Sequence, residues 1–179
     1  MSKRLTCGLA VILLALAPAA FEGIAKAEWP ARMQRLASGR LAALVPPGGE
    51  LWLDGGHNPD GGRVIANALA DLEERVSRPL VLIVGMLANK DSTGFLRNFT
   101  GLARRVMTVA IPGQENAASP AALAEAARAI GLPAQESDDL EAALAAVGRL
   151  DLDQPPRILI TGSLYLAGAA LALNGTLPG

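Results

Sequence analysis

Asp54, His57 and Asn58 lie close together directly after the apolar run Leu51-Trp52-Leu53, in a loop punctuated by Gly55, Gly56, Gly61 and Gly62. A carboxylate offers lone pairs on both oxygens, so Asp54 can accept from the two hydroxyls of a ribose diol; it can equally cap a turn or pair with an arginine. His57, the chain's single histidine, can hydrogen-bond a ligand or simply hold its loop. Three more residues carry usable chemistry. Arg32 presents a planar fork of donors suited to phosphate oxygens, although most arginines are solvated surface groups. Ser163 stands where a helix begins, either as a plain cap or as part of a carboxylate-holding helix terminus. Lys90 lies between Asn89 and Asp91, which would hold its amine near a carboxylate, or it is a solvated residue of the loop before the helix at Ser92.

Three places share one pattern. Leu51-Trp52-Leu53 ends at Asp54-Gly55, the apolar run over 80–84 ends at Gly85-Met86, and the run over 158–161 ends at Gly162-Ser163. If these runs are parallel strands, all three ends fall on one edge of a sheet, where open α/β folds bind ligands. Asp54, His57, Asn89, Lys90, Asp91 and Ser163 would then face a common cleft. No G-x-x-x-x-G-K-[ST] loop occurs and no G-x-G-x-x-G follows these strands, so the chain lacks a complete phosphate cradle. One histidine and one cysteine, Cys7, cannot build a zinc site alone. No catalytic residue and no metal ligand is assigned.

The elements that must position these residues alternate. An edge hairpin is expected from the apolar runs over 40–45 and 51–53, joined by Pro46-Pro47-Gly48-Gly49. A helix then begins at Asn58-Pro59, with helical periodicity from Arg63 onward through Val64, Leu69 and Leu72. Strands are expected over 79–84, 106–111 and 157–161, and helices over 92–99, 121–130, 140–147 and 164–173. Ser92, Ser119 and Asp138 or Asp139 are the expected caps. Such alternation predicts an α/β, Rossmann-like fold: a mostly parallel sheet with one antiparallel edge strand and helices on both faces.

Sixteen basic and 17 acidic residues among 179 leave the net charge near zero, which provides no footprint for nucleic acid and no polybasic membrane patch. The N-terminus, with Lys3 and Arg4 before an apolar run and Pro18-Ala19-Ala20 after it, has a signal-like composition. That run is too short to span a bilayer as a standard helix.

Four segments together resemble one family. Asp54-Gly55-Gly56-His57-Asn58-Pro59 is similar to the D-G-A-H-N-P signature in the C-terminal domain of folylpolyglutamate synthase / dihydrofolate synthase, a relative of the Mur ligases. Trp29-Pro30-Ala31-Arg32-Met33-Gln34 resembles its W-P-G-R-x-Q, the segment from Gly85 to Asp91 its G-M-L-x-D-K-D, and Gly162-Ser163-Leu164-Tyr165-Leu166-Ala167-Gly168 its G-S-L-Y-L-A-G. The four occur in the family's order.

The resemblance implies that residues 29–179 form the C-terminal α/β domain, and that 1–28 are the end of the preceding domain with a linker helix. It implies cytoplasmic location rather than export. It further implies that Arg32 and Asp54 contact ATP, and that His57, Ser163, Asn58 and Lys90 lie toward the incoming L-glutamate. Asn89 replaces an aspartate common in the family, which argues against a cation at that loop. The implied reaction is ATP-dependent ligation of L-glutamate to a folate or dihydropteroate carboxylate through an acyl phosphate. The phosphate loop, the Mg2+ ligands and most folate contacts belong to an N-terminal domain this sequence lacks, so the chain is not expected to catalyse alone. The competing readings are a non-catalytic or exported Rossmann-like binding module and a Mur-type peptide ligase domain.

Overall fold

The structure is a computed structural model that describes residues 31–177. The assignment of 1–28, Trp29 and Pro30, and the last two residues lie outside the described segment. Six strands form one sheet in the order β1-β2-β6-β3-β4-β5. They are β1 (Gln34–Arg35), β2 (Glu50–Leu53), β3 (Leu80–Val84), β4 (Ala103–Thr108), β5 (Ala134–Glu136) and β6 (Arg157–Thr161). β1 runs antiparallel to β2, and every other pairing is parallel. Among the described residues, five α-helices flank the sheet: α1 (Pro59–Arg75), α2 (Ser92–Arg97), α3 (Pro120–Ala129), α4 (Leu140–Val147) and α5 (Leu164–Asn174). No helix among the described residues is long and apolar enough to cross a membrane.

The central strands explain the two-faced cover. β3 is Leu-Val-Leu-Ile-Val with all five residues buried, and successive strand side chains point to opposite faces. Val81 and Ile83 join Ile158, Ile160, α4 and α5 in one core layer. Leu80, Leu82 and Val84 join Leu159, α1, α2 and α3 in the other. Continuous apolar strands buried on both sides are what a parallel sheet requires. Helix starts are set by side chains that accept a free backbone N–H: Asn58 from Gly61, Asp91 from Gly94, Ser119 from Ala122, Asp139 from Ala142 and Ser163 from Tyr165.

Several expectations shift. Residues 40–45 are not a strand: the segment is a turn followed by a 3-10 helix at Ala42–Leu44, and the antiparallel edge is Gln34–Arg35. The cause is Asn174, buried at the end of α5, whose Oδ1 accepts from the N–H groups of Leu41 and Ala42 at 3.0 and 3.2 Å. Those donors are thereby withdrawn from any strand partner. β5 carries no apolar alternation and exists through its pairing with β4. β4 ends at Thr108 rather than residue 111. Asp91, not Ser92, caps α2. Helix α1 starts at Pro59, and its buried face is Gly62, Ile65, Ala66 and Leu69, whereas Val64 is solvent-exposed.

At the N-terminal ends of the parallel strands, Arg157 is buried and its Nε donates to Glu50 Oε2 at 3.3 Å. Arg157 also donates to Glu73 and to the Val76 carbonyl. Burial acts to raise the Glu50 carboxyl, but hydrogen bonds from Trp52 and Arg157, with the charges of Arg157 and Arg78, together hold it below its ordinary value. A depressed carboxylate stabilises the fold above the unfolded-state pKa, and that contribution is lost as pH falls through the folded-state pKa. Glu50→Gln is therefore expected to lower unfolding free energy by about 2 kcal/mol at neutral pH, with the deficit shrinking as the wild-type glutamate protonates in acid. Urea unfolding of both proteins across the acidic range measures it.

Candidate functional site

The β2 strand delivers Asp54 to the carboxyl end of the sheet. Its carboxylate, buried at the rim, holds two segments at once. Oδ2 accepts from Met33 N–H at 2.8 Å and Oδ1 from Gly56 N–H at 2.7 Å. The antiparallel register explains the first bond: Gln34 lies opposite Leu53, so Met33 arrives beside Asp54. A return bond runs from Gly55 N–H to the Ala31 carbonyl at 2.8 Å. Both readings of Asp54 are thus compatible with its geometry, because each oxygen retains a second lone pair after accepting one amide.

Desolvation raises the Asp54 carboxyl above its ordinary value, outweighing the two amide bonds and the nearby Arg32 charge, which pull it down. A raised folded-state pKa contributes stability below the unfolded value, and that contribution is lost as pH rises through the folded value. The ionised carboxylate at neutral pH is therefore held against a burial penalty that its donors offset only in part. Arg32, exposed on the adjoining turn, is electrostatically coupled to this carboxylate.

The turn that carries Arg32 is unusual. Ala31 and Met33, the residues on either side, both have positive φ, 58° and 42°. Left-handed backbone at residues with a Cβ costs roughly 1–2 kcal/mol each and persists only where surrounding contacts impose it. Those contacts are the three bonds to Ala31 and Met33, the third being Ala31 N–H to Gln34 Oε1 at 3.0 Å.

The neighbouring strand ends are knitted to the same cluster. Asp54 N–H donates to the Ile160 carbonyl at 3.0 Å, Gly162 N–H to Gly56 at 3.0 Å, and Gly85 N–H to Thr161 at 3.3 Å. Gly162 has φ +105°, and a Cβ there would sit 2.8 Å from the Gly85 carbonyl oxygen and from Met86 Cγ. Only glycine meets both demands. Ser163 follows, buried, its Oγ accepting from Tyr165 N–H at 3.0 Å. Leu164, though largely exposed, packs against Gly55.

His57 is half-buried with Nδ1 donating to the Gly55 carbonyl at 2.9 Å, which leaves Nε2 as the acceptor nitrogen in the neutral ring. Asn58 Oδ1 caps α1 by accepting from Gly61 N–H at 2.7 Å. Asp54, His57, Asn58, Ser163 and Arg32 therefore occupy one rim. Lys90 lies on the loop that follows β3, the strand paired in parallel with β6; that loop is tied to residues 116–118 through Ala88 N–H to Asn116 and Ala118 N–H to Met86, and Asp91 is engaged in capping α2. Among the described residues, no group of three His, Cys, Asp or Glu side chains could hold a metal ion. The left-handed pair and the role of Gln34 were missed from sequence, although glycine in the family's W-P-G-R at the position of Ala31 was a usable signal.

A mostly parallel sheet with helices on both faces and polar side chains gathered at the carboxyl ends of β2 and β6 defines a Rossmann-like α/β domain. The chain belongs to the Mur ligase, glutamate ligase domain family, whose pattern matches residues 32–164. It is 35% identical over 148 residues to the folylpolyglutamate synthase of Lacticaseibacillus casei, covering 83% of this chain and 30% of that protein. Among solved structures, Mycobacterium tuberculosis folylpolyglutamate synthase complexed with ADP superposes with a TM-score of 0.70 at 26% identity, covering 95% of this chain and 40% of that one. Folylpolyglutamate synthase from Thermotoga maritima shares the fold, with a TM-score of 0.67 at 24% identity over 94% of this chain and 37% of that one. The chain thus spans about a third of the length of these relatives.

Ala31→Gly is expected to stabilise the protein by about 0.5–1 kcal/mol, because glycine adopts positive φ without the Cβ clash while the three restraining bonds persist. Thermal and urea unfolding check it. A loss of stability would contradict the left-handed geometry at this position.

Proposed function

We propose that the chain is the nucleotide- and amino-acid-holding domain of an ATP-dependent ligase that joins L-glutamate to a folate or dihydropteroate carboxylate. The observation that carries this reading is the Asp54 clamp, which holds Arg32 against the same rim as His57 and Ser163. Family membership and the likeness to an ADP-bound synthase support the assignment of ATP to that rim.

In this reading the Arg32 guanidinium lies on phosphate oxygens, where a charge-assisted pair is shorter and stronger than a neutral one. Asp54 uses its remaining lone pairs for the ribose hydroxyls. The substrate carboxylate attacks the γ-phosphorus, giving ADP and an acyl phosphate. The glutamate amine then attacks the acyl carbon, expels phosphate and loses a proton, leaving an amide. His57 Nε2 accepts a hydrogen bond that orients the glutamate ammonium group, which gives up one proton to solvent before its amine attacks. The Ser163 hydroxyl and the unpaired N–H groups in the first turn of α5 hold a glutamate carboxylate. Asn58 borders this pocket, and Lys90 adds long-range positive charge from the next loop.

Mg2+, the phosphate loop and the folate pocket belong to a separate domain in this reading, and closing the two domains assembles the reactants. The chain alone binds but does not turn over, and its reaction belongs to the cytoplasm, where ATP and reduced folates are made.

Titration calorimetry tests the division of labour. Arg32→Ala is expected to weaken ATP binding about tenfold while leaving L-glutamate binding unchanged, the size expected for losing one charge-assisted contact. Ser163→Ala is expected to weaken L-glutamate alone. Asp54→Asn, with Asp54→Ala as the harsher variant, is expected to weaken ATP; unchanged ATP affinity in the folded Arg32 and Asp54 variants would sink the reading.

A further inference from the structure

Resting on the assignment of Arg32 to ATP, we infer that Gln34 is a positioning residue for Arg32, acting through the Ala31–Met33 turn and not through contact with the nucleotide. Three polar groups of that turn are tied. The Ala31 carbonyl accepts from Gly55 N–H at 2.8 Å and Met33 N–H donates to Asp54 at 2.8 Å, so both of these anchors come from the segment after β2. The third, Ala31 N–H to Gln34 Oε1 at 3.0 Å, closes the turn from within its own segment.

This third bond supplies what the other two do not. The Asp54 and Gly55 bonds fix where the two ends of the turn sit against the sheet. With φ of 58° at Ala31 and 42° at Met33, the turn is strained on both sides of Arg32 and tends to relax toward negative φ. Rotating the Ala31 backbone out of the left-handed region would swing its N–H away from Gln34. The glutamine side chain therefore opposes the very motion that would re-aim the Arg32 guanidinium.

Gln34 can do so because it is itself fixed in register. It lies opposite Leu53 in the β1–β2 pair, one residue before the strand reaches Asp54. Its backbone thus belongs to the sheet while its side chain folds back over the turn. A carboxylate clamp from β2 and an amide clamp from β1 meet on one short segment, and Arg32 is the only residue between them. Small misplacements of a ligand-orienting group carry large penalties, so a residue that holds it without touching ligand is expected to show in affinity.

The test is a double-mutant cycle on ATP affinity by calorimetry, using Arg32→Ala, Gln34→Met and the pair. Gln34→Met keeps length but removes the acceptor, and Gln34→Glu keeps an acceptor at the same reach. Gln34→Met is expected to weaken ATP about fivefold, to add nothing in the Arg32→Ala background, and to be substantially rescued in Gln34→Glu. Faster hydrogen exchange at the Ala31 amide in Gln34→Met, with unchanged exchange in β3, is the accompanying readout. If Arg32→Ala weakens ATP and Gln34→Met does not, the positioning role is wrong while the ATP assignment stands. Full additivity of the two substitutions would show that Gln34 acts by another route and overturn it equally. No effect from Arg32→Ala would remove the ATP assignment and this inference with it.

Discussion

One buried carboxylate holds the carboxyl rim of the sheet together. Among the described residues, Asp54 is the only side chain at this edge whose two oxygens each take a backbone amide, from Met33 on one side and Gly56 on the other. The strained turn around Arg32 exists because that clamp, the Gly55 bond and the Gln34 bond restrain it. The clamp also works against desolvation, which leaves the carboxyl above its usual range.

The two rims of the sheet put their charges to different uses. At the amino ends of the strands, Arg157, Arg78, Glu50 and Glu73 pair with one another, and the arginines also donate to nearby carbonyls. Arg157, Arg78 and Glu73 border a cavity of about 330 Å3 that also includes Leu69, Leu102 and Leu152. That network is largely self-satisfied, and its carboxylate Glu50 is held in the charged form. At the carboxyl ends, by contrast, strands stop at glycines, backbone crosses backbone closely at Gly162, and side chains are fixed in place while keeping hydrogen-bonding capacity.

Much of the architecture was legible in the residues because the relevant signals were local. Val81, Ile83, Ile158 and Ile160, apolar without interruption, announce strands covered on both faces, and Asn58, Ser119, Asp139 and Ser163 announce helix starts. Parallel pairing of β2, β6 and β3 then forces Asp54, Gly85 and Ser163 onto one rim. What stayed hidden depended on partners distant in sequence. The 40–45 segment reads as a strand until Asn174, more than 100 positions away, takes its amides. β5 has no strand character of its own, and Gln34 looks like an ordinary edge residue until the positive φ of Ala31 reveals what its side chain holds.

We propose that ligand enters at the carboxyl rim organised by Asp54. Backbone amide chemical-shift mapping during ATP titration tests it most directly, because it reports position without assuming any residue's role. The account predicts perturbations concentrated at Met33, Gly55, Gly56, His57 and the Gly162–Tyr165 turn. Shifts confined to Ser77, Arg78, Gly101 and Arg157 around the opposite cavity, or none at saturating ATP, would contradict it.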